Sequence, residues 1–200
     1  MSKKLYTKLK FGIYFSAFSM ITACATSPLG RNQFMMVNDQ EMSALGAQSY
    51  EEMKKKIPIS KDTRLTTYVQ CVTRGVIQGL PPEYARQSWE VTLFDNKTAN
   101  AFALPGGKIG VYTGLLNVAK NQDQLAAVLG HEVGHVIAKH SAERVSTGQL
   151  TNLGLGIIQV AMGEPSANKN ALMGLLGLGA EFGVVMPFGR KQESEADLIG

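Results

Sequence analysis

The sequence predicts an α+β fold that is mostly helical and contains a small sheet. Two observations support this: three segments have the apolar spacing of helices, and shorter alternating segments lie between the second and the third. The helical segments run from Asp39 to about Lys56, from Thr63 to about Gln78 and from Gln122 to about Val145. A chain of 200 residues is long enough for one domain with a sizeable core.

Residues that favour helix ends flank these three segments. Asn38 and Glu41 have the spacing of a capping box before the first segment. Gly79 and the two prolines after it end the second. Asn121 is suited to cap the third, with Gln124 placed to close the box. We therefore expect three well-delimited helices.

The strand candidates lie between residues 89 and 112. Trp89, Val91 and Leu93 alternate with polar residues, which is typical of a half-buried strand. Residues 101–104 form a second candidate, and a turn at 105–107 leads into a third at 108–112. A strand at a sheet edge exposes backbone groups that can pair with an extended peptide. An ordinary hairpin without any binding role explains the same pattern, and the residues alone favour it.

The third predicted helix contains two histidines at a spacing suited to metal binding. His131 and His135 stand at i and i+4, so their imidazoles share one helix face and together can hold one zinc ion. Glu132 lies beside that ion without binding it, where a general base for an activated water belongs. A surface helix with two solvated histidines is the alternative. The apolar residues throughout this segment argue against it, because they predict a largely buried helix.

A glycine precedes each of these histidines. Gly130 and Gly134 each cost about 1 kcal/mol relative to alanine in a helix interior. We hypothesise that another element packs against the helix too closely there for a side chain.

A catalytic zinc ion needs a third protein ligand. Glu193 and Asp197 also stand at i and i+4, and Glu193 is the candidate ligand, while Asp197 would accept the free N–H of one imidazole. For this segment alone an ordinary charged helix face is the better explanation, but the incomplete site upstream reverses that preference. Glu195 points elsewhere on the helix, and we expect it to be solvated.

Three further polar residues follow the second histidine of the motif. His140 lies five residues after His135, so it cannot closely share the face of that histidine. We predict a surface or capping role for His140, and solvated or interfacial positions for Glu143 and Arg144.

The two motifs, together with the segment from Asn100 to Leu116, resemble the HtpX and CAAX-prenyl-protease family of gluzincin metallopeptidases, and in particular its bacterial periplasmic lipoproteins. The resemblance implies a zinc endopeptidase with one zinc ion, often concerned with quality control of envelope proteins. It also implies a zincin-like fold in which the metal-binding helix lies beside a small sheet whose edge strand receives the substrate. We assign that strand to residues Lys108, Ile109, Gly110, Val111 and Tyr112.

Similar family members continue with further helices after the second motif. We therefore expect residues 24–200 to form a metallopeptidase domain that lacks its C-terminal part. No donor for the oxyanion can be identified in the sequence.

The start of the chain resembles a bacterial lipoprotein signal. A lysine-rich start and an apolar run at 11–21 precede Cys24, which would become the lipidated first residue after removal of residues 1–23. Ala25 at the next position favours the outer membrane, on its periplasmic side. A plain secretory signal or a membrane anchor is the second choice.

Charge gives no indication of a nucleic-acid partner. Four of the 20 basic residues lie in the first 23 positions, which leaves 16 basic and 16 acidic residues in the rest of the chain. The second cysteine, Cys71, is predicted to be a buried thiol. Residues 26–32 should form a short linker between the lipid and the domain.

Residues 146–189 are rich in glycine and apolar side chains. They are compatible with a helical hairpin that covers the cleft or inserts into a partner, with a membrane-surface element, or with a buried helical pair.

Two functions are therefore considered. The first is a zinc endopeptidase acting on unfolded or misassembled envelope proteins. The second is a periplasmic chaperone or assembly factor for outer-membrane proteins that retains the zinc site but cleaves little. Glu132 argues against a third possibility, a purely structural zinc protein, because such a site needs no general base.

Overall fold

The computed structural model of the protein describes residues 24–148 and 189–200. The predicted signal peptide at 1–23, and the greater part of the predicted hairpin, at 149–188, lie outside the described residues. Within the two described stretches, none of the helices is both long and apolar enough to cross a bilayer.

The described residues form helices around two small sheets. The strands are β1 (Cys24–Thr26), β2 (Asn32–Phe34), β3 (Glu90–Phe94), β4 (Ala101–Leu104) and β5 (Lys108–Tyr112). The helices are α1 (Asp39–Lys56), α2 (Thr63–Gln78), α3 (Pro82–Ala85), α4 (Gln122–Ile137) and α5 (Arg190–Ile199), with a 3₁₀ turn at Thr113–Asn117. Residues 140–148 are also helical. The predicted mixture of helices and a small sheet is confirmed, and α1 and α2 have the predicted bounds.

The predicted caps are present with one variation. The Asn38 side chain accepts the Glu41 N–H at 2.8 Å, and the Glu41 side chain accepts the Asn38 N–H at 3.2 Å. Asn121 accepts the N–H of Gln124 at 2.9 Å. The Gln124 side chain, however, accepts from the N–H of Lys120, one residue before the cap.

Three strands form the main sheet, in the order β3–β5–β4. Strand β5 pairs in parallel with β3 and antiparallel with β4. The prediction that Lys108–Tyr112 is an edge strand is therefore wrong, because this strand lies in the centre. The turn at Gly106 and Gly107, both at positive φ, folds β5 back along β4, and β3 then occupies its other side. The hairpin was recognisable in the sequence, but the parallel pairing with β3 depends on distant contacts.

The two faces of this sheet carry two apolar clusters. One cluster joins α1 to alternate sheet residues, among them Phe94, Phe102 and Tyr112. The other packs the opposite residues, including Ala103 and Ile109, against α2 and α4. The sheet thus holds α4, which carries both histidines, on one of its faces.

Helix α4 is shorter than predicted. It ends at Ile137, and Lys139 adopts a left-handed conformation with φ of 55° before the chain becomes helical again at residue 140. The ammonium of Lys139 binds the Asp39 carboxylate at 2.7 Å. The single helix predicted to reach Val145 is therefore wrong. Apolar spacing continues through this break, so hydrophobic periodicity could not reveal it.

Two smaller predictions are also wrong. The expected linker at 26–32 belongs to a hairpin in which β1 pairs antiparallel with β2, closed by Gly30 at φ of 84°. Cys71 is exposed, because α2 buries only the face that it presents to the sheet and α4.

Glycines in α1 and α2 provide a matched test of the packing. A β-carbon on Gly46 would lie 2.1 Å from the carbonyl oxygen of Pro105, whereas one on Gly75 would meet no atom within 4 Å. Gly46→Ala should lower the free energy of unfolding by about 1–3 kcal/mol despite the better helix propensity of alanine. Gly75→Ala should raise it by up to about 1 kcal/mol. Urea unfolding of both variants measures the difference, and equal stabilisation by both would show that α1 does not contact the turn.

Candidate metal centre

Helices α4 and α5 approach each other closely at two glycines of α4. A β-carbon on Gly134 would lie 2.8 Å from the carbonyl oxygen of Ala196, and one on Gly130 would lie 2.7 Å from that of Gly200. The hypothesis that another element packs too closely for a side chain is confirmed. This contact brings the carboxylates of α5 to the histidines of α4.

The three predicted ligands converge on one point. The Nε2 atoms of His131 and His135 lie 3.1 Å apart. The Glu193 carboxylate lies 3.3 Å from Nε2 of His131 through one oxygen and 3.8 Å from Nε2 of His135 through the other. One ligand atom from each of the three residues can be chosen so that these atoms all lie within 4.8 Å of one another.

This arrangement fits a zinc ion. Ligands about 2.0–2.1 Å from a tetrahedral zinc ion lie about 3.3 Å from one another. The separations of 3.1 and 3.3 Å agree with that value, and the carboxylate of Glu193 must turn to bring one of its oxygens equally near both imidazoles. Burial lowers the pKa of His135 to about 3, so its imidazole is neutral near pH 7 and can donate a lone pair. Two imidazoles and one carboxylate are typical of a catalytic zinc site that leaves a fourth position open.

Asp197 lies against the outer nitrogen of His131. Its carboxylate oxygen is 2.7 Å from Nδ1 of the imidazole. A carboxylate accepts hydrogen bonds, so Nδ1 carries a proton, and the lone pair of a neutral His131 ring is then on Nε2, toward Glu193. The Asp197 side chain is 69% exposed, which places this support at the open side of the centre.

Glu132 occupies the position expected of a general base. It follows His131 on α4 and hydrogen-bonds to the backbone of Ala103 in β4. Burial raises the pKa of its carboxyl to about 7, although the neighbouring His131 and the Ala103 backbone act in the opposite direction. A carboxyl with such a pKa readily exchanges a proton near neutral pH.

His140 does not lie at the surface, as the sequence had suggested, but is completely buried. Its Nδ1 lies 2.8 Å from Nδ1 of His135, and its Nε2 lies 3.0 Å from the carboxylate of Glu195. A straight helix would put residues five apart about 140° from each other. The left-handed Lys139 turns the chain so that the two rings meet, and nothing in the sequence marks that conformation.

Glu195 is likewise buried, not solvated as predicted, with its side chain 4% exposed. It accepts hydrogen bonds from the Ser27 hydroxyl and, at 2.8 Å, from Nε of Arg31. Burial alone would raise its pKa, but the bonds from His140, Ser27 and Arg31 lower the pKa of Glu195 to about 2. Glu195 is therefore ionised at neutral pH.

Arg31 connects this carboxylate to the helix of residues 140–148. Its two terminal nitrogens contact the two oxygens of Glu143 at 2.6 and 2.7 Å, in the paired geometry that favours arginine. Gln192 donates to the same carboxylate at 2.8 Å. Glu143 is thus interfacial, one of the two positions expected for it. The β1–β2 hairpin is tied through Arg31 to the helices that build the centre.

Comparison with known proteins agrees with this arrangement. The profile of peptidase family M48 matches residues 63–200, a range that includes all three candidate ligands, Glu132 and Asp197.

Several characterised relatives match the chain as well. It is 32% identical to the mitochondrial metalloendopeptidase OMA1 of Bos taurus over 208 residues, which cover 98% of this chain and 39% of the relative. It is 34% identical to the β-barrel assembly-enhancing protease of Yersinia pestis over 167 residues, covering 81% of this chain and 33% of the relative. The mitochondrial metalloendopeptidase OMA1 of Schizosaccharomyces pombe is 38% identical over 112 residues, covering 56% and 31%.

The chain thus spans between 31% and 39% of the length of these three relatives. Their names differ from HtpX and CAAX prenyl protease, so the resemblance noted in the sequence is confirmed for the broader family and not for that branch. Since the family profile matches well over half of the chain, on the residues that build the centre, the chain belongs to peptidase family M48, a family of zinc metalloendopeptidases.

Proposed function

We propose that the protein is a zinc endopeptidase in which His131, His135 and Glu193 hold one ion and Glu132 acts as general base. The convergence of the three ligands within 4.8 Å beside that carboxylate carries the proposal. With zinc bound there, the chemistry supplied is Lewis acidity, which lowers the pKa of a water molecule and polarises the scissile carbonyl.

The chain's own residues supply proton transfer. Glu132 takes a proton from the attacking water and returns it to the leaving amine, for which a pKa of about 7 is well suited. Asp197 keeps the proton of His131 on Nδ1, so that Nε2 stays directed toward the ion.

We assign the substrate-binding edge to β4 in place of β5. Among the described strands, β4 pairs only with β5, and its buried other edge has no strand beside it. The N–H of Tyr112 donates to the carbonyl of Asn100, so residues 100, 102 and 104 direct their backbone groups toward β5. Ala101 and Ala103 consequently direct theirs away from β5, in agreement with the hydrogen bond between Ala103 and Glu132. A peptide pairing there would pass beside the general base.

We further propose that the substrates are unfolded or misassembled envelope proteins. Recognition through a strand edge depends on the backbone of the bound peptide, which suits varied unfolded chains. The name of one relative, the β-barrel assembly-enhancing protease, supports an envelope role. Another relative is named as mitochondrial, and we prefer the envelope because residues 1–24 resemble a bacterial lipoprotein signal.

Glu132→Gln tests the reaction. The amide cannot accept the proton of water, so the rate of cleavage of an unfolded, fluorescently labelled protein should fall at least about 100-fold while zinc content is retained. Asp123→Asn, in the exposed first turn of the same helix, is the matched control and should cleave normally. Cleavage by Glu132→Gln at the wild-type rate would refute the assignment. If neither the wild type nor Glu132→Gln cleaves and both prevent aggregation of the unfolded protein, the chaperone alternative is favoured.

Asp197→Ala tests the metal site separately from cleavage. Loss of the acceptor that orients His131 should weaken zinc binding about 10–100-fold, and with it the zinc-induced rise in Tm. Ser194→Ala, an exposed position on α5, is the control. The measurements are chelator competition for zinc and thermal unfolding with and without the ion. Unchanged zinc affinity in Asp197→Ala would exclude this role.

We propose that Cys24 carries the lipid that anchors the protein to the periplasmic side of the outer membrane. Expressed as the full chain in a bacterium grown with a labelled fatty acid, Cys24→Ser should lose the label. Cys71→Ser, which removes the other cysteine, should keep it. A labelled Cys24→Ser protein would disprove the anchor.

A further inference from the structure

We propose that His140 and Glu195 form a positioning relay that holds His135 in the tautomer with its proton on Nδ1 and its Nε2 bare. This inference extends the proposed zinc site to two residues beyond its ligands and general base. It rests on the proposed function only in taking His135 as a ligand.

The direction of the hydrogen bonds follows from Glu195, the end of the relay that acts only as an acceptor. Glu195 is a carboxylate that receives hydrogen bonds from Ser27 and Arg31, so it acts as an acceptor. Nε2 of His140, 3.0 Å from the same carboxylate, must therefore donate. In a neutral imidazole the remaining nitrogen is an acceptor, so Nδ1 of His140 carries a lone pair.

The contact between the two rings then determines the state of His135. Their Nδ1 atoms lie 2.8 Å apart, which requires one donor and one acceptor. Because Nδ1 of His140 accepts, Nδ1 of His135 donates, and Nε2 of His135 has no proton. That unprotonated nitrogen lies 3.8 Å from Glu193 and 3.1 Å from Nε2 of His131, a spacing that fits a cation between them in place of a hydrogen bond.

The other end of the relay gives the same direction. His135 faces His131 and Glu193 through Nε2, so its remaining proton lies on Nδ1, and the buried His140 accepts it. A doubly protonated His140 would instead donate to His135 through Nδ1 and leave the proton of His135 on Nε2, where it would block metal binding.

The relay also gives a role to the contacts between the β1–β2 hairpin and the metal centre. Ser27 and Arg31 come from the β1–β2 segment, and Arg31 is itself held by Glu143. These contacts fix the Glu195 carboxylate in place and keep it charged. The hairpin therefore acts on His135 through Glu195 and His140.

Two substitutions of His140 separate positioning from packing. Asn places an amide oxygen near the position of Nδ1 and can still accept from His135, whereas Leu has similar volume and no acceptor. His140→Leu should weaken zinc binding about 10–100-fold, and His140→Asn should restore affinity to within about threefold of the wild type. Chelator competition on the zinc-free full chain gives both affinities. Urea unfolding in a chelator verifies that the variants are folded.

The wild-type protein provides a readout that needs no substitution. Long-range ¹H–¹⁵N spectra of the zinc-loaded chain with labelled histidine should show His135 protonated on Nδ1 only and His140 protonated on Nε2 only. A proton on Nδ1 of His140 would overturn the relay, as would unchanged zinc affinity in His140→Leu or equal loss in the Leu and Asn variants. If the affinities and the tautomer agree with the relay but wild-type protein does not cleave, the proposed peptidase function fails and the relay stands.

Discussion

The contact between α4 and α5 is the constraint on which the centre depends. Gly130 and Gly134 allow the backbone of α5 to reach that of α4, and any side chain at either position would separate the two helices. Each glycine costs about 1 kcal/mol of helix propensity. The cost is offset because Glu193 can reach the two imidazoles only if the helices lie this close. A feature that weakens the helix locally thus makes the three-ligand arrangement possible.

Helix α5 contributes carboxylates to the centre from two of its faces. Glu193 and Asp197, one turn apart, face the histidines, whereas Glu195 lies about 200° around the helix from Glu193 and faces His140 and Arg31. A buried carboxylate without partners would destabilise the fold by several kcal/mol, so the Arg31 pair is needed to keep Glu195 charged. One short helix therefore supplies a ligand and the supports of both imidazoles.

The sequence predicted what local helical geometry determines and missed what distant contacts determine. The residues of each i and i+4 pair, at 131/135 and at 193/197, share one helix face because of the α-helical period. The meeting of the two pairs could be predicted because two histidines alone leave a zinc site without its third protein ligand. The central position of β5 depends on its parallel pairing with β3, which the local pattern of neither strand determines. The burial of His140 depends on a single left-handed lysine, and lysine has no preference for that conformation. Two of the partners of Glu195, Ser27 and Arg31, lie 168 and 164 positions earlier in the chain.

The two imidazoles are supported in different ways, and the difference follows their exposure to solvent. His131 is 27% exposed and supported by the solvent-facing Asp197, whereas His135 is 4% exposed and supported through His140 by the buried Glu195. A carboxylate directly against His135 would put a charge deep in the apolar packing behind α4, where desolvation is costly. A neutral imidazole can transmit the same hydrogen-bond direction while the charge stays one ring farther away, beside Arg31. The buried side of the centre can therefore be rigid without an unpaired charge.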